Sequence, residues 1–474
     1  MNGFRAARPR RAAWFLTPLL CSACAAVPNL GPAPTPRAAS SYAAASLSGT
    51  TSIWPAQGWW QRYGDRQLGQ LIDEALAGSP DLAAASARLR TAQGFAQAAG
   101  AALLPAIDAS GSVELAKQSR NGFIPASLVP KGWQDSGSLG LGLSLDLDFW
   151  GKNRAAARAA ASDADAARFE LEEARLSLTT GIASTYAQLA DLYAQHDTRL
   201  RALQLRSETA DLVAGRVASG LDTQAAANQA VARVQQARAE IEATDEAIAL
   251  TKNALAALLG AGPDRALSIG RPAMAELRTQ GVPQGASIDL IGRRPDIAAA
   301  RARVEASAQR IKEARASFYP DISLTALVGL QAAGIGNLFA SGSGFGSVSP
   351  AVTLPIFHGG ALQGQYRGRR GQYDEAVAGY DGRVVEALRQ VADAMTSLDR
   401  LAPRLSESRA ALANFEAANR LARQRYEHGL ATYLDVLSAE EGVLGARLTV
   451  AQLETRAFTL DVALIRALGG GFAA

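Results

Sequence analysis

The chain has 474 residues, 48% hydrophobic and 19% charged, with a formal net charge of +4, three histidines and two cysteines. Beyond the N-terminal two dozen residues no run of 18 or more apolar residues occurs, which excludes a spanning helix. No basic cluster beyond Arg367, Arg369 and Arg370 stands out, so nucleic acid is not an expected partner. Both cysteines, Cys21 and Cys24, lie at the N-terminus, which leaves none for a metal or disulfide framework in the body of the chain.

Arg5, Arg8, Arg10 and Arg11 precede an apolar run at 12–20 and then Cys21-Ser22-Ala23-Cys24, the layout of a secretory signal with a small-residue cleavage site. Small residues before a cysteine resemble a lipobox, with Cys21 where leucine is usual. Residues 1–23 are thus expected to be a lipoprotein signal, and Cys24 the acylated first residue and lipid anchor. The alternatives are a plain signal peptide or a redox Cys-x-x-Cys, and the second lacks the strand–helix context it needs. Removal of the four arginines brings the mature chain to zero formal charge, so its basicity belongs to the signal. Residues 24–60 begin with an Ala, Pro and Ser tract that reads as a tether or extended collar.

From residue 80 the chain reads helix (80–103), strand (107–115), strand (138–149), long helix (152–219) and return helix (221–259). In the first strand Ile107, Ala109, Val113 and Leu115 alternate with Asp108, Ser110, Ser112 and Glu114. In the second, Leu139, Leu141, Leu143, Leu145, Leu147 and Phe149 alternate with Ser138, Gly140, Gly142, Ser144, Asp146 and Asp148. The order is then repeated: helix (295–318), a strand with Ile322, Leu324, Ala326, Val328 and Leu330, and a strand with Val348, Val352, Leu354 and Ile356. A long helix (360–428), with Pro403 expected to kink it, and a return helix (430–468) complete the second half. The two halves are one unit written twice. Pro80-Asp81-Leu82 matches Pro295-Asp296-Ile297 at an offset of 215, and Arg216, Gly220, Leu221 and Thr223 match Arg425, Gly429, Leu430 and Thr432 at 209.

Strands of about 9–11 residues that alternate apolar and polar suit a transmembrane β-barrel, the alternative being a soluble sandwich with one wet face. Four strands cannot close a barrel in lipid, so several chains must share one; a dimer supplies about eight strands and a trimer about twelve. The lumen-facing carboxylates are then Asp108, Glu114, Asp146 and Asp148. Helices of about 69 residues, roughly 100 Å at 1.5 Å per residue, are expected to pack laterally by Ala-rich faces and not to bury a globular core. A free-standing coiled-coil rod is the competing reading, and it leaves the alternating strands unexplained. The histidines, His196, His358 and His428, read as solvated, without metal partners. No phosphate loop or Ser-His-Asp order appears, so neither enzyme activity nor a cofactor is expected.

Four stretches carry a family resemblance: Arg293-Arg294-Pro295-Asp296-Ile297, Ala314-Arg315-Ala316-Ser317-Phe318-Tyr319-Pro320, Leu354-Pro355-Ile356-Phe357-His358-Gly359-Gly360 and Ala467-Leu468-Gly469-Gly470-Gly471. With the order of elements, they make the chain resemble the bacterial outer-membrane efflux proteins, specifically the TolC/OprM/NodT-like lipoproteins of resistance-nodulation-division pumps. The resemblance implies an α+β membrane protein with a TolC-like trimeric channel-tunnel fold. Each protomer gives four strands to a shared 12-stranded β-barrel and long coiled-coil helices to an α-barrel, with an internal two-fold repeat. The implied divisions are a first repeat at 61–265, an equatorial linker at 266–288, a second repeat at 289–471 and a tail at 472–474.

The same resemblance implies a homotrimer in outer-membrane lipid that extends into the periplasm. A periplasmic adaptor docks on its helix turns, at Arg216, Gly220, Leu221, Arg425, Gly429 and Leu430, and an inner-membrane pump supplies cargo; plain C-cap glycines are the simpler reading. Asp435 matches an aspartate that points into the tunnel constriction, where threefold symmetry makes a carboxylate ring that selects cations and raises its own proton affinity. Ser438 stands where the family has a second aspartate. Tyr426 resembles a gating tyrosine. The function implied is a passive exit duct for small molecules; a duct for type I secretion or metal efflux is the alternative, and three methionines argue against copper or silver. A non-conducting periplasmic spacer is the reading from a different class.

Overall fold

A computed structural model describes residues 27–38, 41–42, 54–273 and 292–472. Cys24, the signal and most of the linker lie outside them. The helices are α1 (Arg66–Gly78), α2 (Pro80–Ala101), α3 (Lys152–Ala218), α4 (Gln224–Leu258), α5 (Asp264–Leu267), α6 (Pro295–Ala316), α7 (Ala361–Glu427) and α8 (Tyr433–Ala467). The strands are β1 (Ala106–Ala116), β2 (Gln134–Asp146), β3 (Asp321–Ala333) and β4 (Gly344–Thr353). The duplication survives to the residue: α2 and α6 both have 22 residues, α3 and α7 both 67, α4 and α8 both 35. Pro403 sits inside α7, whose helical assignment continues through it.

The described residues form two compact units, one of 27–36, 90–166 and 301–379, the other of 37–38, 41–42, 54–89, 167–273, 292–300 and 380–472. Each takes segments from both copies, because each long helix runs from one unit into the other.

The first unit holds one antiparallel sheet in the order β1-β2-β3-β4. Its register puts Ile107 opposite Leu143, Leu141 opposite Val328, and Ala326 opposite Val348, so the apolar sets of all four strands share one face. Ile107, Val113, Val348 and Val352 are each about two-thirds exposed on that face, which in water would be an unpaid hydrophobic cost. The other face carries Asp108, Ser110, Ser112 and Glu114 against small residues, with Ser112 and Ser138 hydroxyls 2.8 Å apart. Gly140 and Gly329 pair on it; a Cβ at Gly329 would meet Leu139 O at 2.3 Å, so this close approach needs glycine.

Two strand ends differ from the alternation in the sequence. β2 stops at Asp146 and β4 at Thr353, so Leu147, Phe149, Leu354 and Ile356 lie beyond the sheet. Asp148 is therefore not a free carboxylate on the polar face. It accepts from the Asn153 and Arg154 amides at 3.1 and 2.9 Å and pairs with the Arg154 guanidinium at 3.2 Å, capping the start of α3. Burial pushes its carboxyl up, but these bonds outweigh burial and leave it below the usual carboxylate range. Asp148→Ala should cost roughly 1 kcal/mol of stability, the ordinary value of an N-cap, in denaturant melts followed by circular dichroism. Because the folded value is depressed, that contribution is present near neutrality and fades as pH falls toward it.

The second unit has a globular core that the long helices alone do not predict. Leu68, Leu71 and Ile72 of α1 and the turn Trp59–Tyr63 pack on Ile182 and Tyr186 of α3, Leu255 of α4 and Phe458 of α8. Two buried acids anchor it. Asp65 caps α1 and accepts from the Tyr186 hydroxyl at 2.7 Å, and Asp461 accepts from the Tyr63 hydroxyl at 2.5 Å and from Arg62. Satisfied in this way, the carboxylates hold a short amphipathic helix against long ones.

Candidate functional site

Within the second unit α3 and α7 end in the same turn. Leu221 N donates to Arg216 O at 2.8 Å and Gly220 N to Val217 O at 3.0 Å; Leu430 N donates to Arg425 O at 2.7 Å and Gly429 N to Tyr426 O at 2.9 Å. This is the Schellman pattern, and both glycines have φ of +72°. Among the described residues no heavy atom beyond its chain neighbours lies within 4 Å of a Cβ placed at Gly220, so conformation and not space requires glycine there. Thr223 and Thr432 then cap α4 and α8. The turns leave Leu221 and Leu430 about two-thirds exposed.

Behind them the two hairpins are joined. The Tyr426 ring is buried among Val213, Ala230, Tyr433, Val436 and Leu437. Its hydroxyl donates to Asp222 Oδ2 at 2.5 Å, and the Arg216 guanidinium lies 4.7 Å from the ring centroid. Arg216 also donates to the Glu427 carbonyl at 3.2 Å. Burial, then the bond to Asp222, pushes the Tyr426 phenol up; the same bond, foremost, pulls the Asp222 carboxyl down. Arg425 stays on its own hairpin, donating to Leu430 O at 3.4 Å.

Asp222 was not among the residues that the sequence reading singled out. A signal for it exists: at the 209 offset Tyr426 falls on Val217 and Asp222 on Ala431, so the linking pair sits where the copies differ, one partner from each.

Asp435 is exposed in the first turn of α8. It completes a capping box, accepting from the Thr432 amide and hydroxyl, both at 2.8 Å. Within the protomer the amide bond, then the hydroxyl, holds its carboxyl below the usual range. Ser438 is exposed one turn on, whereas Glu440 is buried, accepts from Thr209 at 2.7 Å and is pushed up by burial. The sheet carboxylates Asp108, Glu114 and Asp146 are exposed on the polar face in the first unit. His196 is not merely solvated: its Nε2 lies 3.3 Å from Asp245.

A four-stranded sheet and paired helical turns of this kind recur elsewhere. The model of the family "Outer membrane efflux protein" matches residues 71–261 and again 288–470. The chain belongs to the outer membrane efflux protein family. It is 32% identical over 438 residues to the multidrug resistance outer membrane protein MdtP of Shigella flexneri, covering 90% of this chain and 88% of that one. The crystal structure of the outer membrane protein VceC of Vibrio cholerae superposes with a TM-score of 0.84 at 46% identity, covering 88% of this chain and all of that one. The open-state MtrE channel of Neisseria gonorrhoeae superposes at 0.77 and 25% identity over 94% of this chain and 98% of that one. This outer-membrane efflux protein has the TolC-like fold, sits in the outer membrane with its helices in the periplasm, and serves as an exit channel of an efflux system. The family is one of channels, not enzymes.

Proposed function

We propose that the protein acts as a homotrimer whose three sheets close one barrel, as a passive duct for small molecules that a resistance-nodulation-division pump delivers through a periplasmic adaptor. The sheet carries this reading. Among the described residues β1 and β4 each have one unpaired edge, and the apolar face crosses all four strands without a break; a lipid environment accepts that face only if the edges are closed by further copies. Signal cleavage leaves Cys24 acylated, and repeats at 61–265 and 289–471 flank the linker.

The adaptor docks on the exposed turn leucines Leu221 and Leu430, held by Arg216, Gly220, Arg425 and Gly429. The Tyr426–Asp222 link keeps the two hairpins together and so the periplasmic end closed. Asp435, exposed beside that link, forms the selecting ring, and Asp108, Glu114 and Asp146 face the barrel lumen. Permeability ratios in a planar bilayer test the ring. Asp435→Ala should reduce cation preference several-fold, and an unchanged ratio would remove Asp435 from the conducting path.

A further inference from the structure

The two connections farthest from the helices have a chemistry that neither duct nor gate uses. β1 begins where α2 ends and β2 runs into α3, so residues 117–133 join these strands at their opposite ends, as residues 334–343 join β3 to β4. In an outer-membrane barrel that end is the extracellular rim. The second connection is tied to the start of β2: Gly334 N donates to Asp135 O and Ile335 N to Asp135 Oδ2, both at 2.7 Å.

Residues 117–133 contain Lys117, Arg120 and Lys131 and no carboxylate, and residues 334–343 contain no charge. The three cations are exposed, and Arg120 uses its Nε and Nη2 on the Ala126 carbonyl, which fixes the loop without neutralising it. Phe123 is fully exposed and Trp133 about two-thirds so. Ala116 and Gln134 are the last paired residues, so Lys117 and Trp133 continue the apolar face by alternation. An aromatic ring and a long cation at the edge of a lipid-facing band suit a headgroup boundary, the ring in the acyl margin and the ammonium reaching phosphate. The other end of the sheet is different: Asp148 and Asp321 there balance Arg154 and Lys152.

We propose that this rim binds an acylated, phosphorylated glycolipid of the outer leaflet, the lipid A class, with Lys117, Arg120 and Lys131 on its phosphates and Phe123 and Trp133 among its acyl chains. Charge complementarity selects this occupant over a second copy. An identical rim brings the same three cations and only Asp135, already engaged, to meet them. The proposal rests on the sheet spanning the outer membrane, which conductance tests separately.

Native mass spectrometry of the intact oligomer in detergent decides it. Three lipids are titrated: bisphosphorylated lipid A, the same lipid dephosphorylated, and phosphatidylglycerol. Wild type should retain the bisphosphorylated form at least tenfold over the other two. Lys117→Ser/Arg120→Ser/Lys131→Ser should lose roughly a hundredfold, about fivefold per cation, with oligomeric mass and conductance unchanged. Inorganic phosphate at equal concentration should displace nothing. Equal retention of the three lipids by wild type, displacement by free phosphate, or unchanged retention by the triple variant would overturn the proposal. A triple variant that changed the oligomeric mass while still retaining lipid A would make the rim an interface between copies instead.

Discussion

Arg294→Ala should destabilise the protein by about 3–5 kcal/mol, the cost of breaking a buried ion pair from one side. Arg294 is 5% exposed. Its Nε and Nη2 fork onto Asp296 at 3.0 and 2.8 Å, and Nη1 reaches both Gln390 Oε1 and the Ala467 carbonyl at 2.9 Å. One guanidinium thus ties the start of α6 to α7 and to the last turn of α8. Nearby, Glu173 is raised by burial and then by Asp296, and Arg294 opposes that shift ahead of Arg466 and Arg383, so truncation removes the foremost of three compensating cations. Lysine cannot reproduce the fork and should recover only part of the loss. Arg294→Ala/Asp296→Ala should be less damaging than the sum of the single changes, because the double variant removes both partners of the pair together. Denaturant midpoints by circular dichroism of Arg294→Ala, Arg294→Lys, Asp296→Ala and the double variant measure these effects. An Arg294→Ala protein within 0.5 kcal/mol of wild type would mean that the network is not structural.

The other large effect concerns conduction. Tyr426→Phe removes one oxygen and keeps the ring beneath Arg216, so it isolates the bond to Asp222. A hydrogen bond to a charged group contributes about 1.5–3 kcal/mol, so the open probability of single channels should rise roughly 10- to 150-fold. Asp222→Ala should match it, and the double variant should add little, since both changes delete the same link. Open probabilities within twofold of wild type in both single variants would remove the link from gating. Its pH dependence has a definite sign. A depressed acid such as Asp222 stabilises the folded pair above its unfolded pKa of about 3.9 and loses this as pH falls through the folded value. A raised phenol such as Tyr426 stabilises it below its unfolded pKa of about 10 and loses this as pH rises through the folded value. The link should hold from about pH 4 to 10, so wild-type open probability should not follow its titration between pH 5 and 9.

The six long helices were legible in the sequence to within one to three residues, because Gly220, Gly429, Pro80 and Pro295 mark their ends and the copies corroborate each other. The strand faces were legible for a similar reason: period-two alternation survives whatever the sheet packs on. Strand ends were not. Asp148 continues the alternation, but the amides of α3 offer it more than a ladder position does, and propensity cannot weigh a cap against a strand. The globular core was missed because α1 is short and its partners lie more than a hundred residues away, as Tyr186 does from Asp65. Asp222 was not legible because matching the copies reveals what they share, whereas the link joins residues at which they differ.

The central claim is that the alternating strands build a conducting pore shared between chains. Single-channel recording in a planar bilayer, with the mass of the same purified sample, tests it most directly. Three copies per particle, with small, cation-selective and mostly closed currents, are the predicted result. A monomer, or a trimer that never conducts even with Tyr426→Phe, would contradict it and leave the helices as a periplasmic spacer.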